Sequence, residues 1–452
     1  MQRPAWSLRC SGWDVSESTG NDALLVAGGV RPPIYYGWWV LLAAALTEML
    51  SIGSTSYSAG LFVLPLQHEF GLSRAAANST IPISFAGGAL LSPLVGYLLD
   101  RISIQWVIGL GAVALGLGFT LISVTSSLLI MVLALFVPIA FGAVAIGPLT
   151  SSTLASRWFY RHRGRALGFA AVATSAGGIV VVPLLSTAIE HFGWRPALQI
   201  EAVFIVLIVI VAAFFIIRSG PADLHLENHP ENWGRPVADI PRAEHNSTDD
   251  ATRVFLPYSE MLMALNFWAI AIALGSIVGI NQAIIISLVP YGTGLGFAPV
   301  SAAFLISAFS ISAAIVKVVS GLLADIMERR TIMLAAALSM VLALAVLLGS
   351  SSYAVLFLGC CLAGASLGGI LPSSAALVAA CFGSPSFGKV MGAMYVVILG
   401  ASIVSAWFVG AMFDRTGRYD DAFVIFLVLA AISTLAALLV RTPPGKLQPM
   451  TG

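Results

Sequence analysis

The chain has 452 residues, of which 58% are hydrophobic and only 10% are charged. A soluble domain carries roughly 25% charged residues, so most of this chain must face lipid rather than water. The formal net charge of +1 argues against a nucleic-acid binder, which needs a basic surface to neutralise phosphates. The four cysteines lack metal-ligand spacing, so the sequence predicts neither a metal site nor a disulfide framework.

Long apolar stretches follow one another along almost the whole chain. A bilayer core about 30 Å thick requires roughly 20 apolar residues per helix. The first 33 residues lack the apolar core of a secretory signal, so we expect the first span to be retained. Twelve membrane spans are predicted, at 37–64, 78–99, 104–124, 127–155, 165–187, 193–217, 264–290, 299–324, 331–349, 353–380, 390–412 and 422–440.

The distribution of basic residues predicts the orientation. With the N-terminus in the cytoplasm, most of the 22 Lys and Arg residues lie on the cytoplasmic side. The positive-inside rule then predicts a multi-pass protein of the inner (cytoplasmic) membrane with both termini in the cytoplasm. We expect a cytoplasmic tail, a six-helix half, an acidic cytoplasmic linker, a second six-helix half and a second cytoplasmic tail, at 1–33, 34–217, 218–263, 264–440 and 441–452.

The two halves repeat the same markers in the same order. Gly96-Tyr97-Leu98-Leu99-Asp100 recurs as Gly321-Leu322-Leu323-Ala324-Asp325, and Arg165-Ala166-Leu167-Gly168 recurs as Lys389-Val390-Met391-Gly392. A third pair, Gly193 and Gly417, lies at almost the same spacing. Such agreement indicates two parallel six-helix repeats that enclose a cavity between them.

Twelve spans, a charged central linker and the motif Gly96-x-x-x-Asp100-Arg101 make this chain similar to the major facilitator superfamily. The resemblance implies an all-α integral membrane fold of twelve helices in two six-helix pseudo-repeats. It also implies a gate at the helix ends built from Gly96, Asp100, Arg101, Gly321 and Asp325. In that gate the glycines let helices approach closely, and the charged residues pair across neighbouring helix ends.

Within that superfamily the chain resembles the oxalate/formate exchangers and the monocarboxylate transporters. The resemblance rests on Tyr36-Gly37-Trp38-Trp39, on Glu69-Phe70-Gly71-Leu72-Ser73-Arg74 and on Trp158-Phe159 followed by Arg163-Gly164-Arg165. It implies a small organic anion as substrate, a lipid bilayer as surroundings and, in our interpretation, a functional monomer.

Lys317 is the basic residue predicted to lie within a span. A charge at a helix centre costs roughly 2.5 to 3.5 kcal/mol on insertion scales, so such residues usually serve function. The resemblance implies that Lys317 stands where relatives bind the substrate carboxylate with an arginine. Leu61 replaces the lysine of animal monocarboxylate transporters, and residues 390–412 lack the second cation of the oxalate exchangers. One cation suits one carboxylate, so we expect a monovalent anion.

Two carboxyl groups are also predicted inside spans, and each has two interpretations. Glu48 either accepts a proton that moves with the substrate, or is a carboxyl held between helices with no part in coupling. Glu201 is expected to be a structural partner of Arg195 or of another helix. Polar residues within apolar spans add substrate-binding candidates, namely Tyr57, Asn281, Gln282 and Tyr395.

No enzyme is expected, because all six histidines lie in loops or at span ends, and no nucleophile is paired with a base. The absence of a Gly-x-x-x-x-Gly-Lys-Ser/Thr loop argues against ATP as energy source or cofactor. The sequence therefore predicts a secondary carrier for a small monocarboxylate, coupled to protons or to exchange. Two alternatives stay open, an exporter of amphipathic or aromatic compounds on the same fold and a membrane receptor that moves nothing.

Overall fold

The computed structural model describes residues 35–159, 163–220, 258–323, 327–349, 351–382 and 387–440. Both predicted tails, most of the predicted linker and Asp325 of the gating motif lie outside the described residues. Within those ranges the chain is helical and contains no strand. Helices are expected in lipid, because a helix satisfies its backbone hydrogen bonds within one segment.

Twelve helices in the described part of the chain are long and apolar enough to cross a membrane. This confirms the predicted fold class. We number these spans α1 to α12, and in chain order they are Tyr36–Tyr57, Arg74–Arg101, Ile104–Val124, Leu128–Ala155, Gly168–Phe192, Trp194–Ile216, Leu265–Gly294, Pro299–Leu323, Arg329–Leu348, Tyr353–Phe382, Val390–Thr416 and Asp420–Leu439.

Five helices, α1, α2, α5, α7 and α11, extend about one to two turns beyond the predicted spans, whereas α3, α6 and α8 end within one residue of them. The helix Ala59–Phe70 continues α1, and helical residues precede α5 and α11 from Arg163 and Phe387. The apolar composition of a sequence indicates only the part of a helix that lies inside the bilayer core, and a helix can continue beyond that core. The predicted ends are therefore too short for these five helices.

Three π-turns interrupt the α-helices, at Gly53–Tyr57, Leu135–Ile139 and Ala212–Ile216. The first lies in α1, where the Ser58 N–H donates to the Gly53 carbonyl oxygen at 3.0 Å. The second contains Pro138, whose missing N–H removes a helical hydrogen bond. Each π-turn inserts one extra residue and thereby rotates the side chains that follow it.

The spans alternate in direction, so the bundle has two ends. The linker face is the end at which α1 begins, at Tyr36, and α6 ends, at Ile216. The far face is the opposite end, where α2 begins, at Arg74, and α11 ends, at Thr416. The six described spans before residue 221 form one half, and the six after residue 257 form the other.

The two halves are joined tightly at the far face. Asp414 of α11 accepts hydrogen bonds from the backbone N–H groups of Arg74, at 2.7 Å, and Ala75, at 2.8 Å. Next to them, the Asn78 side chain donates to the Ala406 carbonyl oxygen at 3.3 Å. A negative charge on the free N–H groups of a helix start is a favourable contact. In this conformation the bundle is closed at the far face.

At the linker face, the charged residues and the glycines of the gating motif differ in how well they match the expectation. Asp100 pairs with Arg157 of the neighbouring helix at 3.7 Å, while Arg101 stacks over the Tyr97 ring of its own helix at 5.4 Å. The expectation that Gly96 and Gly321 let helices approach closely is wrong for this conformation. A Cβ atom added at either glycine would meet no atom within 4 Å, so neither glycine lies at a close contact between helices.

Candidate functional site: a polar cluster between the two halves

Lys317 lies in α8, six residues before the helix ends at Leu323. Its ammonium reaches across the interface to α5 in the other half. There it donates to the Ala171 carbonyl oxygen at 3.0 Å, to Thr174 Oγ1 at 2.5 Å and to Ser175 Oγ at 2.9 Å. An ammonium has three donors, so α5 satisfies all of them. The half-buried cation thus forms a polar bridge between the halves.

Glu48 lies in α1 with only 2% of its surface exposed. Its carboxylate accepts a hydrogen bond from the Ser151 hydroxyl of the helix Pro148–Trp158. Glu48 is also near enough to Lys317 for the two charges to interact. One carboxyl and one ammonium therefore lie in the same buried region, each with hydroxyl partners from a different helix.

Tyr57 ends the π-turn of α1 and is 4% exposed. Its hydroxyl lies next to Ser175 and Ser310, and its ring packs on Phe309 with centroids 6.3 Å apart. Ser175 is therefore shared between the Tyr57 hydroxyl and the Lys317 ammonium. This places Tyr57 at the same interface as Lys317, as part of one hydrogen-bonding cluster.

A cavity of about 390 Å³ lies beside this cluster, between α1, α2, α4 and α11. Tyr395 and Leu399 line it from the second half, and Thr55, Ser56 and Ser84 supply hydroxyl groups from the first. The Tyr395 side chain is 63% exposed. Neither Lys317 nor Glu48 lines this space, and in this conformation the ammonium is bound to α5 and the carboxylate to Ser151.

Asn281 and Gln282 do not join the cluster or the cavity. Both are buried in α7, where the Asn281 amide donates to the Ile277 carbonyl oxygen of its own helix at 2.9 Å. The Asn281 Oδ1 and Gln282 Nε2 atoms have no hydrogen-bond partner among the described residues. Their predicted contact with substrate therefore has no support in this conformation.

The expected pairing of Glu201 with Arg195 is wrong. Arg195 instead forms an ion pair with Glu69 at 2.9 Å. Its guanidinium also donates to the Ser123 and Thr125 carbonyl oxygens, at 2.5 and 2.9 Å, at the end of α3. Arg195 lies in the first turn of α6, where these exposed carbonyls are within reach. The polar neighbour of Glu201 is Ser54 of α1, and neither Glu201 oxygen has a hydrogen-bond partner among the described residues.

Sequence reasoning missed Thr174, Ser175 and Ser151 as partners of the two charged groups. Each is a small hydroxyl residue in an apolar stretch, and such residues commonly hydrogen-bond across helices in membranes. The adjacent pair Thr174-Ser175 in α5 could have indicated this contact. Two hydroxyl oxygens on one helical turn can accept hydrogen bonds from an ammonium, which has three donors.

A family model described as the Major Facilitator Superfamily matches residues 44–306 and 271–450. An uncharacterized MFS-type transporter, YcxA of Bacillus subtilis (strain 168), is 24% identical over 410 residues, 89% of this chain and 94% of that protein. The oxalate:formate antiporter of Oxalobacter formigenes is 24% identical over 262 residues, 58% of this chain and 57% of that protein. Human monocarboxylate transporter 11 is 30% identical over 197 residues, 44% of this chain and 40% of that protein.

Among solved structures, a bacterial homologue of the human lysosomal transporter Spinster, in an inward-facing and occupied conformation, has a similar fold. The TM-score is 0.68 at 15% sequence identity, and the match covers 91% of this chain and 99% of that chain. This likeness supports the arrangement of the helices, whereas function has to be argued from the residues of the site.

Proposed function

Because this chain belongs to the Major Facilitator Superfamily, we propose that it carries a small organic monocarboxylate together with a proton across the cytoplasmic membrane, by alternating access. The linker face is cytoplasmic in this proposal, in keeping with the positive-inside rule. The conformation described above then has its far face, the outer side, closed.

The observation that carries the proposal is the bridge from Lys317 to α5. All three donors of the ammonium are taken by neutral acceptors of the other half. A substrate carboxylate offers a charged acceptor, which forms stronger hydrogen bonds than a hydroxyl or a carbonyl. At 4 Å and an effective dielectric of 20 the attraction is about 4 kcal/mol before desolvation. Binding would replace bonds between the halves and so link substrate binding to their movement.

Glu48 supplies a reason for proton coupling. With Glu48 ionised, the buried pair of Glu48 and Lys317 is neutral and has little attraction for an anion. With Glu48 protonated, the site has one net positive charge, which a monocarboxylate neutralises. Proton binding and anion binding therefore favour each other, and by linkage the coupling is reciprocal.

The charge of the site also supports a monovalent substrate. Among the described residues, no Lys or Arg other than Lys317 lies in the interior of a span. A dicarboxylate would bring a second charge without a partner into the membrane, which is costly. We therefore infer that oxalate and succinate are poor substrates.

The lining of the cavity favours a second candidate function. Phe85, Val144 and Leu399 are among the apolar side chains that surround it, and apolar walls suit an amphipathic or aromatic compound. In this alternative the carrier exports such compounds and Lys317 has a structural role. The two functions differ in whether a carboxylate is required for recognition.

The test is uptake of labelled monocarboxylates into proteoliposomes, with and without an inward proton gradient, for the parent, Lys317→Ala and Lys317→Arg. We expect Lys317→Ala to lower the apparent affinity at least tenfold, which is about 1.4 kcal/mol, and Lys317→Arg to retain part of it. Ser312→Ala is the matched control, because Ser312 lies in the same helix and donates to Cys361 rather than to α5. Equal affinity in Lys317→Ala and the parent would contradict the proposal, and uptake of neutral amphiphiles alone would favour the second candidate.

A further inference from the structure

Glu201 is a second buried carboxyl, in α6 within the first half. It is 8% exposed, and neither of its oxygens has a hydrogen-bond partner among the described residues. Burying an ionised carboxylate without a hydrogen-bond partner is costly. The polar group beside it is the Ser54 hydroxyl, which also lacks a hydrogen-bond partner within the described chain.

The charged and titratable groups on the elements around Glu201 lie elsewhere. α3 has none along Ile104–Val124. Arg195 of α6 is bound to Glu69 at the far face, and Glu48 of α1 is bound to Ser151. The remaining titratable groups of α1 and α5 are Tyr36, Tyr57, Glu190 and His191, and no ion pair joins any of them to Glu201 in the described structure.

A chamber of about 50 Å³ lies inside the first half, next to this pair of groups. Ser54 lines it from α1, and Leu198, three residues before Glu201, lines it from α6. One water requires roughly 10 to 15 Å³ of such space and two to four polar partners. The hydroxyl-bearing residues Ser54, Thr55, Thr80 and Ser84 are part of its lining, and its volume is enough for a few waters.

The chamber adjoins the transport cavity. Thr55 and Ser84 line both the chamber and the cavity between α1, α2, α4 and α11, which we call the transport cavity, so the two spaces are neighbours. Ser54 and Thr55 lie on the π-turn of α1, and π-turns within helices are frequent at functional sites. Gly53 holds this turn against α5, because a Cβ atom there would lie 2.7 Å from Val181 Cγ2 and 3.0 Å from the Gly177 Cα atom.

We propose that Glu201 and Ser54 form a second proton-binding site, inside the first half, which exchanges protons with the transport cavity through the chamber. In the exchange step a hydronium in the chamber gives a proton to Ser54 Oγ, and Ser54 gives its own hydroxyl proton to the Glu201 carboxylate. Water and a neutral carboxylic acid result, and release follows the reverse order. This site does not depend on which solute the carrier moves.

Infrared titration of substrate-free protein in lipid tests this directly, through the C=O stretching band of protonated carboxyl groups. We expect the parent to have a band that Glu201→Gln lacks, that disappears as the pH is raised and that shifts within minutes in D₂O. Glu190→Gln is the control, because Glu190 is an exposed acid of the same half and its loss leaves this band unchanged. A Glu201 band that stays constant over the whole pH range in which the protein is folded would overturn the proposal.

Ser54→Ala tests the route separately. We expect this variant to keep the Glu201 band but to lose at least tenfold in the rate of its shift in D₂O, since the relay hydroxyl is gone. An unchanged rate would show that protons reach Glu201 by another path. Because no substrate is present, failure here is distinguishable from failure of the transport proposal, which the uptake assay judges.

Discussion

At Lys317 one side chain has two competing sets of acceptors. In this conformation the acceptors are the neutral groups of α5, at 2.5 to 3.0 Å. A carboxylate from the substrate would compete with them and would win only when Glu48 does not already balance the charge. In the proposed mechanism, the protonation of Glu48 therefore decides whether the ammonium is available to the substrate.

Glu48→Gln should therefore change the pH dependence of substrate affinity. In the parent, raising the pH ionises Glu48, neutralises the site and weakens anion binding, so we expect the apparent affinity to fall as pH rises. Glutamine resembles the protonated acid at every pH, so the variant should keep the low-pH affinity throughout, with less than a twofold change. Uptake kinetics between mildly acidic and mildly alkaline pH measure this, with Glu190→Gln as the control for an exposed acid.

A variant that keeps the pH dependence of the parent would show that Glu48 has no part in coupling. Glu48 would then be a carboxyl held by Ser151, with a structural role between α1 and α4. The infrared band of Glu201 would be unaffected by this result, since the two carboxyl groups lie in separate surroundings.

At this scale the sequence was enough to identify the charged residues of the site, but not their hydrogen-bond partners. Lys317, Glu48 and Glu201 are conspicuous because ionisable side chains are rare in apolar spans. Their partners are Thr174, Ser175 and Ser151, and the chain has many other Ser and Thr residues from which the sequence does not distinguish them. Which of them meet an ammonium or a carboxylate depends on helix rotation and on contacts between the halves, and neither is encoded locally.

At the scale of elements, the closure of the far face depends on how near α11 comes to the start of α2. A Cβ atom added at Gly410 would lie 2.7 Å from the Ala75 Cα atom and 2.8 Å from its nitrogen. These are backbone atoms and cannot rotate away, so only glycine fits between the two helices. The apolar composition of the sequence predicted both helices. It did not predict that they contact each other, because they belong to different halves and are far apart along the chain.

Gly410→Leu should hold the far face open. We expect uptake to fall at least tenfold, because the closed outer state becomes inaccessible, while the amount of protein in the membrane stays near that of the parent. Gly400→Leu is the matched control, since Gly400 lies in the same helix and a Cβ atom there would meet nothing within 4 Å. Equal loss of uptake in both variants would mean that leucine disturbs α11 itself rather than the closure of the far face.

For the whole molecule, the described hydrogen bonds between halves divide into two groups. One group, around Asp414 and Asn78, closes the far face. The other, around Lys317 and Ser307, joins α8 to α5. Among the described residues no hydrogen bond joins the halves nearer the linker face than Lys317. If the two halves rocked about the contact between α5 and α8, the linker face would close and the far face would open.

Tyr395 reports which end is open, because its side chain lines the cavity from α11. In a background without the four natural cysteines, we expect Tyr395→Cys to react with a membrane-impermeant maleimide at least tenfold faster in inside-out vesicles than in right-side-out vesicles. Adding Gly410→Leu should reverse this preference, since the far face then stays open. The reversal is expected because alternating access exposes the transport cavity to one side of the membrane at a time.

A cysteine at Ser126, in the turn between α3 and α4, is the orientation control and should react in right-side-out vesicles in both backgrounds. Labelling of Ser126→Cys only in inside-out vesicles would show that the far face is cytoplasmic and that the predicted orientation is wrong. Labelling of Tyr395→Cys from the same side with and without Gly410→Leu, with Ser126→Cys labelled from outside, would contradict alternating access, because closing at Gly410 would then not control which side reaches the cavity.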